Sequence, residues 1–370
     1  RMAGWLIVAF LGWICGYVGQ SYLKEHLLAS VADRQTGEDR RKKVPVGQRP
    51  LGKPDPPLLE KDWEGKHVDV GEGFFTLQNE EKMYWCTFVP KDVKTVERVL
   101  LYVHGYTGST AWVEFNAMAT FAKLGNCAVI GVDLPGHGRS DGLHVYIEGW
   151  HPMVGCCMQF VEKFCTAKQQ EWSEQSGRPL KLFAAGESMG GGVLTTLCLK
   201  KPNLFAGAIL LSPMIAVSKQ AMPHPLVIWI FKHIICALLP QWPIAPAKDL
   251  TDMCCTDKDA VEVLRANPFG NGHTAPKLRT GYVLAFEAPG WLEPRLSKLT
   301  VPLLVLHAAA DRVTDPELSK LLHQEAKSED KTLKLYQGAQ HADLLHGGPG
   351  QSNLIRRVYD DIFEWLNARS

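Results

Sequence analysis

A serine between two glycines is the clearest chemical signal in this chain of 370 residues. Gly186, Ser188 and Gly190 form a Gly-x-Ser-x-Gly pentapeptide that follows the apolar run 180–185 and precedes a segment with helical character. On such a strand-to-helix turn the serine hydroxyl stands above a sheet, and its neighbours must be small because the turn is sharp. The pattern predicts Ser188 as the nucleophile of an acyl-transfer reaction and Gly186 and Gly190 as the glycines of its turn.

A serine nucleophile needs a base to take its proton and a carboxylate to orient that base. When the serine follows a strand in this way, the acid and then the base come later in the chain. Asp311 follows the apolar run 301–307 and is the predicted acid. Asp315 lies slightly further on, and we assign it to the start of the next helix, where a carboxylate is favourable.

The predicted base is His341, which lies on the loop after the last predicted strand. His346 is the rival candidate. His307 and His323 fall on a predicted strand and a predicted helix, where the usual role of a histidine is structural. The order serine, aspartate, histidine and the short distance from the strand end favour His341.

An acyl-transfer site also needs N–H donors for the oxyanion that forms. His104-Gly105-Tyr106 ends an earlier apolar run, so the backbone N–H of Tyr106 is one predicted donor. The N–H of Met189, directly after the nucleophile, is the other. Both roles belong to the backbone, so the two side chains need only fit.

Short apolar runs alternate with longer amphipathic segments, and this predicts a mostly parallel sheet covered by helices. The predicted strands are residues 74–77, 83–88, 96–103, 128–134, 180–185, 206–211, 303–307 and 332–336. The predicted helices are residues 111–124, 148–175, 189–200, 315–326 and 351–368. Residues 213–302 show no obvious strand, and so long a stretch is predicted to be an inserted cap rather than a loop.

The first 23 residues are predicted to be a transmembrane anchor. Residues 2–23 carry no charge, and about 20 apolar residues span a bilayer. The competing interpretations are a buried core helix and a cleaved signal peptide. The second has some support because residues 30–32 resemble a cleavage site, although they lie well beyond the apolar run. Gly12 and Gly16 form a Gly-x-x-x-Gly pair that could bring a partner helix close, as in a membrane complex.

Residues 24–65 are predicted to be a polar, proline-rich linker between the anchor and the folded part. The basic run 40–43 favours the cytoplasmic, matrix or stromal side for the residues that follow. The rest divides into an α/β core, residues 66–213 and 293–370, and a cap, residues 214–292. Within the cap, the apolar segment 224–239 is too short to span a bilayer, so we interpret it as a buried helix or as a face that dips into a membrane.

Charge and cysteine spacing argue against two classes of ligand. The 40 basic and 39 acidic residues leave a net charge of +1, so no long-range field recruits nucleic acid. The 10 cysteines include no Cys-x-x-Cys pair and no Cys/His spacing of a zinc site. We therefore predict no metal, no cofactor and no nucleic-acid partner.

The motifs taken together resemble those of one family. His104-Gly105, the segment 133–142 (DLPGHGRSDG), the serine pentapeptide and the segments around Asp311 and His341 are similar to the monoacylglycerol lipase family. That family includes caffeoylshikimate esterase-like and lysophospholipase-like serine hydrolases of the α/β-hydrolase fold. The resemblance extends from about residue 73 to residue 370.

The resemblance implies the α/β-hydrolase fold, and it implies a site made of Ser188, Asp311, His341 and the backbone N–H groups of Tyr106 and Met189. The chain departs from the family at Thr107, where the family often has glycine. We expect this departure to alter the oxyanion loop slightly and to affect the rate rather than the reaction class.

The leading hypothesis is a membrane-anchored serine hydrolase that cleaves carboxylic esters of lipids, with a monoacylglycerol or a lysophospholipid as substrate. An apolar, capped serine site suits a single acyl chain on a small polar head. One alternative is an acyltransferase that uses the same acyl-enzyme, because an apolar cap could exclude water. The other is a hydrolase-fold structural subunit of a membrane complex, which the anchor and linker would attach.

Overall fold

An eight-stranded, mostly parallel sheet lies at the centre of the computed structural model, which describes residues 35–46, 67–216, 223–243, 250–270 and 275–370. The strand order is β1-β2-β4-β3-β5-β6-β7-β8. The β1/β2 and β2/β4 pairs are antiparallel, and every other neighbouring pair is parallel. This arrangement confirms the sheet predicted from the sequence.

The strands are β1 Val68–Thr76, β2 Lys82–Pro90, β3 Arg98–Val103, β4 Cys127–Val132, β5 Lys181–Glu187, β6 Gly207–Leu211, β7 Leu303–Ala308 and β8 Lys331–Tyr336. Each overlaps the apolar run predicted for it. The largest difference is at β1, which begins at Val68 rather than at residue 74. It is an edge strand in which no residue is buried, so its pairing with β2 leaves no clear apolar pattern in the sequence.

The main helices around the sheet are Val113–Gly125, Trp150–Phe160, Thr166–Ser176, Met189–Lys200, Pro316–Glu325 and Ser352–Asn367, and short ones occupy Lys258–Arg265, Leu278–Tyr282, Ala288–Leu292 and Asp343–His346. The predicted helix at 148–175 is interrupted by a π-helical turn at Val161–Cys165. The other predicted helices are found with ends shifted by a residue or two.

Side chains of the central strands alternate between two buried layers. Val99 and Leu101 of β3 face the layer that contains helices Trp150–Phe160 and Met189–Lys200, whereas Leu100 faces helix Val113–Gly125 on the other side. Because both faces are covered, these strands are apolar at successive positions rather than at alternate ones. Because β3 to β8 run parallel, their carboxyl ends meet at one edge of the sheet. The loops with the predicted site residues lie at that edge.

The described residues between β6 and β7 form helices and turns and contain no strand. The apolar segment predicted within the cap is helical over Pro225–Ile230, continues through a π-helical turn, and ends with Cys236–Leu238. Cys236 is buried in a cluster with Leu278, whereas Trp229 and Leu238 are 53% and 74% exposed. The burial expected for this helix is therefore found on one side only.

None of the helices within the described ranges is long and apolar enough to cross a membrane. The predicted anchor, residues 1–23 with Gly12 and Gly16, lies outside those ranges, as do most of the residues assigned to the linker. The anchor and the division of the chain into core and cap therefore stay predictions.

A helix at Gly37–Lys43 packs against the body of the protein. Arg40 is fully buried, and its guanidinium donates to the backbone carbonyls of Gly138, Ser140 and Gly142 at 2.6, 2.5 and 3.3 Å. Arg41 pairs with Asp141 at 2.8 Å. Burial lowers the pKa of Arg40 to about 10, which leaves it charged at neutral pH.

This helix concerns only part of the segment predicted as a polar linker, since residues 24–34 and 47–65 lie outside the described ranges. Residues 35–46 are held on the folded part, because Arg40 supplies donors to carbonyls that would otherwise be buried without partners. The basic run 40–43 also contributes to folding rather than serving only as charge beside a membrane. Its role could not be read from the sequence, since the carbonyl partners lie far away along the chain.

We expect Arg40→Met to lower the free energy of unfolding by about 3 kcal/mol, because methionine fills the space but leaves buried carbonyls without donors. Urea denaturation at pH 7 measures the change. The control is Lys42→Met on the exposed side of the same helix, where an exposed ion pair with Glu38 is lost and no measurable change is expected. Equal midpoints for the two variants would show that the hydrogen bonds of Arg40 contribute nothing to stability.

Candidate active site

Ser188 lies on a strained turn between β5 and helix Met189–Lys200. Its φ of 48° and ψ of −115° belong to a region that residues other than glycine rarely adopt, and such strain costs of order 1–3 kcal/mol. The turn is held by hydrogen bonds on both sides: the Ser188 N–H donates to Leu211 O at 2.9 Å, and the Ser188 carbonyl accepts from Met214 N–H at 2.9 Å. The predicted strand, serine and helix are therefore all present.

The two glycines of the pentapeptide lie where a side chain has no room. A Cβ on Gly190 would come within 2.2 Å of the carbonyl oxygen of Val103, at the end of β3. A Cβ on Gly186 would lie 2.8 Å from the carbonyl group of Gly190. These contacts explain why the sequence has glycine on both sides of Ser188.

Asp311 and His341 meet across two loops. Asp311 follows β7 and His341 follows β8, and Nδ1 of His341 donates to Oδ2 of Asp311 at 2.6 Å. Asp311 Oδ1 accepts the backbone N–H groups of Val313 and Thr314 at 2.7 and 3.0 Å. The carboxylate of Asp311 is therefore fixed by its own loop. Because it contacts Nδ1 of His341, the other ring nitrogen, Nε2, is available to accept a proton.

Two further side chains hold the same carboxylate. Nε2 of the buried His307 lies 3.3 Å from Asp311 Oδ2, and the Thr314 hydroxyl lies 3.0 Å from that oxygen. Thr314 Oγ1 is also 3.2 Å from Nδ1 of His341. Burial alone would raise the pKa of Asp311, but the hydrogen bonds from His307 and His341 hold it well below its usual range. Asp311 is therefore ionised throughout the pH range of ordinary assays.

The loop after β3 lies against the nucleophile. A Cβ on Gly105 would be 3.3 Å from the Ser188 Cβ. Tyr106 is the next residue and therefore lies close to the serine. Burial lowers the pKa of His104, and the neutral ring fixes the loop: Nδ1 donates to Gly105 O at 2.7 Å and Nε2 accepts from Leu134 N–H at 3.0 Å. Met189 begins the helix after Ser188, as the predicted second donor requires.

Thr107, the residue that departs from the family pattern, has a φ of 64°. This left-handed conformation costs a β-branched residue more than glycine, which explains the glycine often found there. The side-chain amide of Asn267, from the described part of the cap, donates to Thr107 O at 3.1 Å and supports the conformation. The left-handed conformation of Thr107 is therefore supported by a hydrogen bond to its own carbonyl group.

Ser188 and His341 line one cavity, together with Leu211, Leu344 and Leu345. His346, the rival base, also borders it, but Nε2 of His346 faces the carboxylate of Glu187 rather than the serine. The described residues contain no group of three or more His, Cys, Asp or Glu side chains that could hold a metal ion. The arrangement can carry out acyl transfer by a serine, a histidine and an aspartate.

A sequence profile described as serine aminopeptidase, S33 (Hydrolase_4) matches residues 94–346, which is more than half of the chain. The chain belongs to this family. The S33-family hydrolase is 27% identical over 315 residues to caffeoylshikimate esterase of Arabidopsis thaliana, a match that covers 84% of this chain and 89% of that protein. It is 29% identical over 244 residues to monoglyceride lipase of Homo sapiens, which covers 64% and 72% of the two chains.

A solved structure supports the same fold. A soluble variant of monoglyceride lipase from Saccharomyces cerevisiae, in complex with a substrate analog, matches with a TM-score of 0.67 and 21% identity over 80% of this chain and 95% of that one. The resemblance stated from the motifs is confirmed, and the S33-family hydrolase is a carboxylic ester hydrolase of the α/β-hydrolase fold.

Sequence reasoning missed several residues that surround the candidate site. His307 was assigned a structural role, and Thr314 and Asn267 carried no signal at all, because their contacts depend on how separate loops meet. Glu187 did carry a signal in the sequence, because an acidic side chain at the end of a buried strand needs a partner. That signal points to a histidine or a basic residue but does not say which.

Proposed function

We propose that this hydrolase cleaves carboxylic esters of lipids with a single acyl chain, monoacylglycerols or lysophospholipids, through an acyl-enzyme on Ser188. The observation that carries the proposal is the 2.6 Å contact of His341 Nδ1 with Asp311, in a cavity that Ser188 and His341 share. It supports His341 as base and Asp311 as its orienting acid. The strain at Ser188 supports a nucleophile held ready for attack.

In the proposed reaction, Ser188 Oγ attacks the ester carbonyl carbon and its proton passes to Nε2 of His341. The N–H groups of Tyr106 and Met189 stabilise the oxyanion, and the imidazolium returns the proton to the alcohol as the C–O bond breaks. Water then gives a proton to Nε2, its oxygen attacks the acyl carbon, and Ser188 recovers a proton as the fatty acid leaves. Asp311 stays ionised throughout and holds the imidazole by Nδ1.

The substrate class is supported by the relatives and by the cap. The names of the relatives, monoglyceride lipase and caffeoylshikimate esterase, refer to a glycerol ester and a phenolic ester. The leucines of the cavity favour an acyl chain over an aromatic acid. The exposed apolar side of helix Pro225–Ile230 suits contact with lipid. The anchor predicted for residues 1–23 would hold the enzyme at the membrane where such substrates lie.

A panel of esters tests this function. Purified protein is incubated with a monoacylglycerol, a lysophospholipid and a phenolic ester, and Ser188 is labelled with a fluorophosphonate whose attachment is mapped by mass spectrometry. We expect labelling at Ser188 and release of fatty acid from the first two substrates. Transfer of the acyl group to added glycerol or lysolipid without free fatty acid would instead identify an acyltransferase. Folded protein that neither reacts with the probe nor cleaves any ester would favour a structural subunit.

A further inference from the structure

An ion pair that the proposed reaction does not use lies directly behind the nucleophile. Glu187 precedes Ser188 at the end of β5, and both of its carboxylate oxygens lie 3.0 Å from Nε2 of His346. The side chains of His346 and Glu187 are only 5% and 16% exposed. Removing one partner of so enclosed a pair would leave the other charge buried without a counter-charge, which is costly.

Polar groups from three other elements face this pair. The hydroxyl of Tyr102, on β3, donates to Glu187. Glu114, on helix Val113–Gly125, is close enough to interact with both members, and burial raises its pKa to about 7. Tyr359, on the C-terminal helix, is a weaker neighbour of Glu187. The pair is thus the centre of a buried network under the cavity.

The electrostatics favour the charged form of both partners. Burial alone would lower the pKa of His346, but Glu187 and Glu114 raise it. Burial alone would raise the pKa of Glu187, but His346, Tyr102 and His341 together lower it. The raised pKa of His346 and the lowered pKa of Glu187 both favour the ion pair. Because the folded pKa of His346 is raised, the stability that the pair contributes is lost as the pH rises through that value.

The two partners belong to the two loops that the reaction must align. Glu187 is covalently next to Ser188, and His346 ends the short helix Asp343–His346 that follows His341. The helix is also held on the cap side, where Asp343 accepts from Thr256 N–H at 3.1 Å, and in the core, where Leu344 and Leu345 are buried. Among these contacts, the Glu187–His346 pair joins the loop of the base directly to the turn of the nucleophile.

We propose that the Glu187–His346 pair is a positioning element that fixes His341 relative to Ser188. The inference rests on the proposed function, since the separation of these two groups sets a rate only if they react with one another. Loss of the pair would let the loop of His341 drift from the serine, and a misplacement of about 1 Å can cost about 100-fold in rate. Glu187 and His346 also border the cavity, but substrate binding is shared with the rest of the cavity wall and the cap, so KM is expected to change less than kcat.

The test compares Glu187→Gln, His346→Gln and the double variant in hydrolysis of a short-chain monoacylglycerol. We expect each single variant to lower kcat by about 10- to 100-fold with a much smaller change in KM, and to slow fluorophosphonate labelling by a similar factor. The double variant should be no slower than the slower single one, because both changes break one contact. Tyr102→Phe, which removes only one hydrogen bond to Glu187, should show a smaller fall in kcat. This variant keeps the test informative if a charge-removing variant does not fold.

Two measurements separate positioning from general stability. Asp330→Asn breaks the partly buried ion pair with Arg369 at the opposite end of β8 and should leave kcat unchanged whatever it does to Tm. NMR of 13C-labelled histidine should show His346 titrating at lower pH in Glu187→Gln than in the parent protein. Unchanged titration of His346, or single effects that multiply in the double variant, would overturn the inference.

The outcomes also separate this inference from the proposed function. If Ser188→Ala abolishes hydrolysis while Glu187→Gln and His346→Gln have the parent kcat, the positioning role is wrong and the reaction stands. If Ser188→Ala is as active as the parent, the proposed function fails first. If His346→Gln is inactive and His341→Ala is not, then His346 is the base, which also overturns the inference.

Discussion

Replacing Ser188 by alanine is expected to lower kcat for monoacylglycerol hydrolysis by about 10⁶-fold, the cost of removing the nucleophile of a catalytic triad. Among the described residues that line the cavity, Ser188 is the only one with a hydroxyl group, and the strained turn presents it there. The variant should keep the parent Tm and the parent affinity for a non-covalent product analogue. Hydrolysis is followed by the release of fatty acid.

The matched control is Ser176→Ala, which removes a hydroxyl at the end of helix Thr166–Ser176, near the start of β5 and away from the cavity. It should have the parent kcat. The residual rate of Ser188→Ala should still exceed the uncatalysed one, because the oxyanion donors and the binding surface remain. Activity within tenfold of the parent would exclude Ser188 as the nucleophile.

Replacing Asp311 by asparagine is expected to lower kcat by about 10⁴-fold while KM changes little. Asparagine keeps the shape of the side chain but removes the charge that accepts the Nδ1 proton of His341 at 2.6 Å. The imidazole then favours the tautomer with its proton on Nε2, which cannot take the proton of Ser188. Steady-state kinetics and the rate of fluorophosphonate labelling should fall together, because both need the activated serine.

The matched control for this variant is Asp315→Asn. Asp315 accepts the N–H of Glu317 and caps helix Pro316–Glu325, as the sequence predicted. Asparagine caps a helix about as well as aspartate, so both kcat and stability should be retained. A fall in kcat of similar size in the two variants would mean that the loop after β7 acts through its conformation and not through the Asp311 charge.

The features that could be predicted from the sequence have local causes. The central strands are buried on both faces, so their apolar runs mark them directly, and the close contacts at Gly186 and Gly190 leave the Gly-x-Ser-x-Gly pattern in the sequence. β1 gave a weak signal because an edge strand is held by backbone pairing, and its side chains are free to be polar. Its true start could be found only from the register with β2.

The features that could not be predicted join distant parts of the chain. Arg40 looked like a membrane-flanking charge, and only the carbonyls of a remote turn give it a buried site. His346 looked like a second candidate base, and its partner Glu187 is known only once the segments that follow β5 and β8 meet at the same edge of the sheet. In both cases the residue type was visible but the partner was set by topology.

The docked helix at Gly37–Lys43 also limits how far the body of the enzyme can move from any structure that holds the N-terminal segment. A free linker from residue 23 to residue 67 could reach roughly 150 Å when fully extended. With the chain fixed on the body from Gln35, the reach from residue 23 falls to roughly 40 Å. An enzyme on so short a tether would work within one molecular diameter of its attachment point and would sample only the surface immediately around it.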